Sequence, residues 1–377
     1  MNWKVAVAIS LALALKVPAA NTSASAECLT CHDEKGTSFH ASVHGSMSCN
    51  DCHTAIKAYP HPEKVAKVKC DTCHNDPVAG VATSVHAKPG AESCQNCHLD
   101  PHSILPASNP KSSTYPSNLP RTCGACHGDA KLANQHGLKE VYSQYIDSIH
   151  GFALTKDGLL VAASCVSCHG SHKVLSKTNP SSKTNRANIA DTCGTCHAGP
   201  KQAYNAGIHG QGAAMGDTRA PVCTDCHTTH EIADVRTASW QMKTAATCGK
   251  CHGEQLVTYR DTFHAQVSAL GYVETAHCWD CHGFHEILPA TDAKSSIAPA
   301  NLPGTCGKCH GTVTKSFVSY QPHADKHKKS FLALWVSGIF MNLLLAGVLG
   351  FFALHALLWL IRSIFEHRSG RLARATK

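Results

Sequence analysis

Thr192-Cys193-Gly194-Thr195-Cys196-His197, then Gly207-Ile208-His209-Gly210, then Cys223-Thr224-Asp225-Cys226-His227-Thr228-Thr229-His230, form the stretch on which the reading of this chain turns. It contains Cys-x-x-Cys-His twice, and each copy is trailed by one more histidine. Outward from it, the pentad recurs upstream as Cys28/Cys31/His32, Cys49/Cys52/His53, Cys70/Cys73/His74, Cys94/Cys97/His98, Cys123/Cys126/His127 and Cys165/Cys168/His169. Cys193/Cys196/His197 and Cys223/Cys226/His227 follow, then Cys248/Cys251/His252, Cys278/Cys281/His282 and Cys306/Cys309/His310. These eleven copies use all 22 cysteines, so no thiol is left for a disulfide.

The residue types at this spacing suit one chemistry. Two thiols one helical turn apart can add to the two vinyl groups of a single haem, and the adjacent imidazole then reaches the iron. Cys-x-x-Cys alone also serves zinc ribbons and dithiol redox sites. A histidine in the fifth place of every copy, with no cysteine unpaired, selects eleven covalently bound haem c groups over those alternatives. No catalytic side chain is assigned.

The remaining histidines carry the second half of the pattern. Six sit in a Ser-x-His-Gly-like setting: His44, His86, His150, His209, His264 and, in the divergent Gln321-Pro322-His323-Ala324, His323. They lie 16, 16, 27, 16, 16 and 17 residues after the first cysteine of the preceding pentad. Five others trail the intervening pentads: His172, His230 and His285 three residues after the motif histidine, His102 four after and His61 eight after. Six and five make a second set of eleven, which predicts a distal imidazole for every iron, as one leading haem and five two-haem repeats. A plain surface histidine is the alternative at each position, above all at His61 and His102, where the spacing departs. His40, His136 and His277 read as surface or supporting residues, with His40 able to exchange roles with His44. Which distal histidine serves which iron is left open.

The fold class follows from what is scarce. Aromatic residues make up 6% of the chain, too few large side chains for ordinary cores, so haem must supply the apolar bulk. Turn signals such as Asn109-Pro110, Asn118-Leu119-Pro120 and Asn301-Leu302-Pro303-Gly304 fall between motifs and keep helices short. The expectation is a mostly irregular chain with short α-helices, a multihaem cytochrome c packed around its haems, plus one C-terminal transmembrane helix. The formal charge of +8 is not a nucleic-acid signal: of 34 Lys and Arg, seven lie in residues 1–26 or from Arg362 onward. The remainder nearly balance the acidic residues, and no basic, aromatic-interleaved stripe accompanies them.

The two ends give an address. Residues 1–26 read as a signal peptide, with Lys4, an apolar run from Val5 to Leu15, and Ala24-Ser25-Ala26 as the cleavage site, Ala20 being the alternative. Residues 27–330 are then an exported undecahaem domain. Residues 331–361 carry no formal charge and are long enough for one transmembrane helix. The basic tail, 362–377, holds Arg362, Arg368, Arg371, Arg374 and Lys377, which puts it in the cytoplasm and the haems in the periplasm, on the inner membrane. His355 lies within the span, with Gly347 and Phe351 on its face. Either it ligates a haem b or contacts a quinol shared with a partner, or it anchors the helix near the cytoplasmic headgroups.

Ser-x-His-Gly, Cys-x-x-Cys-His-Gly-x-His and Thr-Cys-Gly-x-Cys-His together resemble the multihaem c-type cytochromes of metal- and sulfur-respiring bacteria, over residues 27–323. From Pro322-His323-Ala324-Asp325 through the helix bearing His355, the chain looks like the junction at which some of them continue into a membrane cytochrome b. One helix follows here, so the resemblance implies that further helices come from a separate cytochrome b or quinol oxidoreductase subunit. It implies electron transfer from that partner along eleven haems to a periplasmic cytochrome or other acceptor. The competing expectation is a reductase of a small oxyanion such as nitrite or tetrathionate, which needs an iron with an open position.

Overall fold

The computed structural model describes residues 22–87, 93–137 and 141–375. The segment read as a leader lies outside the described residues as far as residue 21, and 22–26 open the helix Thr22–Leu29. The described residues contain helices and turns and no strand. They divide into two units, 1–235 and 236–377.

In both units the helices are short because each motif writes its own start and stop. Cys165–His169, Cys223–His227 and Cys278–His282 are five-residue helices. At their N-termini the side chain at the second x of Cys-x-x-Cys accepts the N–H of the residue before the first cysteine. Asp225 does so from Val222 at 2.7 Å, Asp280 from His277 at 2.7 Å, and Ser167 from Ser164 at 3.1 Å. At their C-termini the next residue is left-handed, Gly170 at φ +78°, Thr228 at +65° and Gly283 at +81°, and Leu99 after His98 repeats this at +63°. That turn reverses the chain so that the trailing histidine leaves on a new course. The other motif class ends longer helices, Leu119–His127 and Leu302–His310, each started by a proline in its first turn.

A polar framework replaces an apolar core. Ser112, Ser182 and Ser295 are buried, and each donates to the carbonyl seven residues back, at Leu105, Leu175 and Leu288. Asn118, Asn188 and Asn301 each bridge two carbonyls of the same linker. The buried apolar side chains among the described residues are few: Ala133, Leu154, Ile189, Val222, Ala265 and Ala298. Meanwhile Met215, Phe263 and Leu270 are 82%, 78% and 88% exposed. Little of the apolar surface of the described residues is thus covered by the chain's own side chains.

In the second unit, Leu332–Ala375 is one helix of 44 residues. Together with the turn Lys329–Phe331 before it, the helix gives a stretch, Lys329–His367, that is long and apolar enough to cross a membrane, with a mean hydropathy of 2.3. The helix continues past 361, where Arg362 pairs with Glu366 at 2.8 Å, so the segment read as a tail is helical as far as Ala375. At its other end the segment before it is bolted to the unit by Lys326–Asp261 at 3.0 Å and Lys328–Glu254 at 3.3 Å.

A candidate ligand array built from paired imidazoles

Ser148 shows how a distal histidine is aimed. Its hydroxyl accepts the N–H of Gly151 at 3.0 Å and donates to the Tyr145 carbonyl at 2.6 Å, capping the helix Ile149–Thr155 so that His150 stands on its first turn. Thr262 caps Phe263–Ala269 in the same way and sets His264. Ser42 and Ser84 accept the N–H of His44 and His86. At Gly151 and Gly210 a Cβ would run into the carbonyls of Tyr145 and Tyr204, which explains the glycine after these histidines. The backbone N–H before His44, His86 and His150 then donates, at 2.8 Å each, to Ile104, Val174 and Ile232. Each of those carbonyls lies two residues beyond a trailing histidine, so the two sets of distal candidates are laid side by side.

The imidazoles meet in pairs, one ring from a pentad and one from the second set. His32 faces His61, His44 faces His74, His53 faces His102, His150 faces His197 and His264 faces His310, each with 6.0 Å between ring centres. His98 faces His172 and His169 faces His230 at 6.1 Å, and His86 faces His127 and His282 faces His323 at 6.2 Å. His209 stands on the first turn of Ile208–Ala214, His227 closes Cys223–His227, His252 precedes Gly253–Arg260, and His285 follows the left-handed Gly283.

The pairing follows a rule. Histidines of the Ser-x-His class reach forward to the next pentad of their own class, as His44 to His74, His86 to His127, His150 to His197 and His264 to His310. Trailing histidines reach backward, as His102 to His53, His172 to His98 and His230 to His169. At the ends the rule closes on itself: His61 turns to His32, and His323 turns to His282.

Burial, and after it the facing ring, holds His53, His86, His98, His150, His169, His264 and His282 below the ordinary histidine value. They are therefore neutral at physiological pH, the form in which a ring nitrogen can bind a metal. Supporting bonds fix some rings from behind. His102 Nδ1 lies 3.0 Å from Asp100 Oδ1, His323 Nδ1 3.0 Å from Thr258 Oγ1, and His61 Nδ1 2.8 Å from the Pro62 carbonyl.

The cysteines bring neighbouring pentads into contact. Cys70 and Cys94, Cys123 and Cys165, Cys193 and Cys223, and Cys248 and Cys278 hydrogen-bond through their sulfurs, each pair joining the first cysteines of two consecutive motifs. Contact and burial push Cys123, Cys193 and Cys248 well above the usual thiol value. Tyr145, Tyr204 and Tyr259 tie the same motif pairs together, donating at 2.8, 2.9 and 2.9 Å to the carbonyls of Ala163, Pro221 and Ala276, each two residues before a pentad. Burial pushes the Tyr259 phenol up to about 12, so it stays a donor at neutral pH.

The second cysteines of the pentads are covered unequally by the polypeptide. Cys31, Cys73, Cys126, Cys251 and Cys309 are exposed, as are Cys97, Cys168, Cys196 and Cys226, whereas Cys52 and Cys281 are half-buried. First cysteines are not covered alike either, Cys70 and Cys248 being exposed. Exposure does not disqualify them as attachment points, because a vinyl group has to reach the sulfur to form a thioether.

A metal–nitrogen bond of about 2.0 Å and about 1.15 Å from that nitrogen to the ring centre put two axial imidazoles on one iron about 6.3 Å apart. The pairs, at 6.0–6.2 Å, fit that distance. Among the described residues no group of three or more His, Cys, Asp or Glu side chains gathers as a bare metal site. Donors that come in twos suit an iron whose other four positions a macrocycle fills, whereas structural zinc takes four protein ligands.

His44, and not His40, faces His74. His277 is buried against Trp279, ring centres 4.4 Å apart. The supporting Asp100 and Thr258, the three tyrosines and the linker Ser/Asn pairs are not singled out by the motif reading. Their signal is a fixed offset from the pentads, as with Tyr145, Tyr204 and Tyr259, each five residues before a Ser-x-His-class histidine. No family model, curated protein or solved structure matches this chain.

Proposed function

We propose that the chain is an electron-transfer cytochrome of the periplasmic face of a bacterial inner membrane, anchored by Leu332–Ala375 and carrying eleven covalent haem c groups. The observation that carries this reading is the set of nine facing imidazole pairs, each with one ring from Cys-x-x-Cys-His and one from outside it. Covalently held haem supplies one-electron chemistry that no side chain here provides. The residues' own work is attachment by the 22 cysteines, ligation by the paired histidines, and fixing of ring orientation by the capping hydroxyls, Asp100 and Thr258. Sulfur contacts between consecutive motifs set neighbouring attachment points side by side within each unit, which favours transfer along the chain. The proposed donor is a membrane cytochrome b or quinol oxidoreductase reached through the helix, and the acceptor a periplasmic redox protein. The rival oxyanion-reductase reading needs an iron open on one side, and the second rings of the nine pairs argue against that at those positions.

Pyridine haemochrome assay and intact mass of the purified chain, with electron paramagnetic resonance of its ferric form, test the proposal. Eleven covalent haems, all low-spin, are expected. Zinc or disulfides on the cysteines, or a stoichiometric high-spin ferric signal, would overturn it.

A further inference from the structure

The nine ring pairs differ in one respect that spacing does not reveal, the angle between the two imidazole planes. Where the distal ring belongs to a trailing histidine, the planes are nearly parallel: 14° for His61 on His32, 4° for His102 on His53, 15° for His172 on His98 and 7° for His230 on His169. Where it belongs to the Ser-x-His class, the planes cross: 62° for His44 on His74, 71° for His86 on His127 and 37° for His150 on His197. His264 on His310, at 56°, and His323 on His282, at 42°, fall with them. The two ranges do not overlap.

The end pairs show which ring decides. His32 belongs to a pentad of the forward class yet is nearly parallel to its partner, because that partner is the trailing His61. His282 belongs to the backward class yet is crossed, because its partner is His323. The angle therefore follows the distal segment. The local backbone differs in the same sense: His150 and His264 stand on capped helical turns and His44 and His86 on hydroxyl-bonded turns, whereas His102, His172 and His230 follow the positive-φ residues Leu99, Gly170 and Thr228, so the two kinds of ring arrive about the ligand axis at different rotations.

Resting on the haem reading above, we propose that the distal segments sort the irons into two electronic classes interleaved along the chain, parallel sites that favour the ferric state and crossed sites that favour the ferrous state. The reason is general ligand-field chemistry. Each imidazole donates through the π orbital perpendicular to its plane. Two parallel rings raise the same iron d orbital, separate it from its partner and stabilise the hole of low-spin ferric iron. Crossed rings raise both d orbitals alike and remove that stabilisation. Crossed sites then show a strongly anisotropic low-spin signal with a high maximum g value, parallel sites an ordinary rhombic one, and crossed sites are the easier to reduce. From Cys70 to Cys193 the two classes alternate, so an electron moving through that stretch meets higher and lower potentials in turn, whereas the sites of Cys28 and Cys49 are both parallel and those of Cys278 and Cys306 both crossed.

The test is electron paramagnetic resonance of the oxidised full-length protein during a potentiometric titration with dithionite, for wild type, His61→Ala and His323→Ala. Two low-spin families are expected, with the anisotropic one disappearing first as the potential is lowered. His61→Ala should remove one rhombic signal and His323→Ala one anisotropic signal, each replaced by a high-spin iron at unchanged covalent haem content. A single low-spin family in wild type, or reduction of the rhombic family first, overturns the proposal without a variant having to fold. Loss of the opposite signal in either variant shows that the pentad and not the distal segment sets the angle, which also overturns it. A wild-type chain without covalent haem would instead remove the underlying reading.

Discussion

On the proposed haem reading, Asp100 is a side chain placed to tune a ligand. Its carboxylate, held below the usual range first by the His102 N–H, also lies 3.0 Å from His102 Nδ1. A carboxylate behind an imidazole makes the ring a stronger donor to a metal. Asp100→Asn should therefore raise the reduction potential of one iron, the one attached at Cys49, and leave haem stoichiometry at eleven. Potentiometry that shows no displaced midpoint would reduce Asp100 to a turn residue. The same position shows how far a motif carries. His102 and His61 depart from the regular spacing, yet each faces a pentad histidine, because a left-handed Leu99 and a longer loop deliver them as Gly170 delivers His172. That a second ring would accompany a pentad histidine was legible from counting. Its partner was not, since partners lie a repeat apart and are brought together by backbone bonds such as Val85 to Val174, which leave no trace in residue type. Nor was the unequal cover of the thiols, with Cys31 and Cys309 exposed and Cys28 and Cys306 half-buried, because both cysteines of a pentad read alike in sequence.

Among the elements, the tyrosine staples hold the two motifs of a repeat at a fixed separation. Losing one buried hydrogen bond of this kind costs about 0.5–1.5 kcal/mol. Tyr259→Phe should lower the melting temperature of the loaded protein by a few degrees, roughly as that energy implies for a large domain, with haem content and spin state unchanged. A change of spin state would mean that the phenol positions a ligand. The long helix makes a different demand. His355 stacks on Phe351 with ring centres 6.4 Å apart and planes at 15°, so the face inferred from their spacing exists. If that face meets a membrane redox partner, His355→Leu should leave insertion and all c-haems intact and slow their reduction by quinol in native membranes. Unchanged kinetics would make the helix a tether. That the helix runs on to Ala375 was not legible from hydropathy, because the Arg362–Glu366 pair sustains it where apolar character ends.

At the scale of the molecule, short helices and a sparse apolar core were readable from composition; the described residues are nonetheless mostly helical where a mostly irregular chain was expected, because the motif segments and their linkers fold into helical turns, and the division at 235/236 was not readable. The exchange of ligands between repeats makes a prediction of its own. Deleting residues 123–192 removes one repeat and joins Thr122 to Cys193, which restores the Thr-Cys-Gly-x-Cys-His sequence. His86 then meets His197 and His230 meets His98, so the shortened chain should bind nine haems, all low-spin. Deleting only Ser148–Gly151 removes His150 and keeps every pentad, so it should leave one high-spin iron, the one facing His197. Spin-state quantification of the two deletions separates an exchange rule from a coincidence of nine contacts.

On the proposed reading of an exported haem protein, the forward and backward reach of the two histidine classes would also impose a timetable on maturation. A chain exported from its N-terminus presents His44 before His74 and His86 before His127, so a forward-class site finds its second ligand already outside when its own pentad arrives. A backward-class site must wait: His98 faces His172 and His169 faces His230, and neither later ring has been translocated when the earlier pentad is loaded. At every intermediate length the newest backward-class site is therefore open on one side. His323, arriving just ahead of the membrane helix, closes the one at His282. On that reading, arrest of export between repeats would leave an iron open on one side at the growing end, and translocation through to the helix would supply its second ligand.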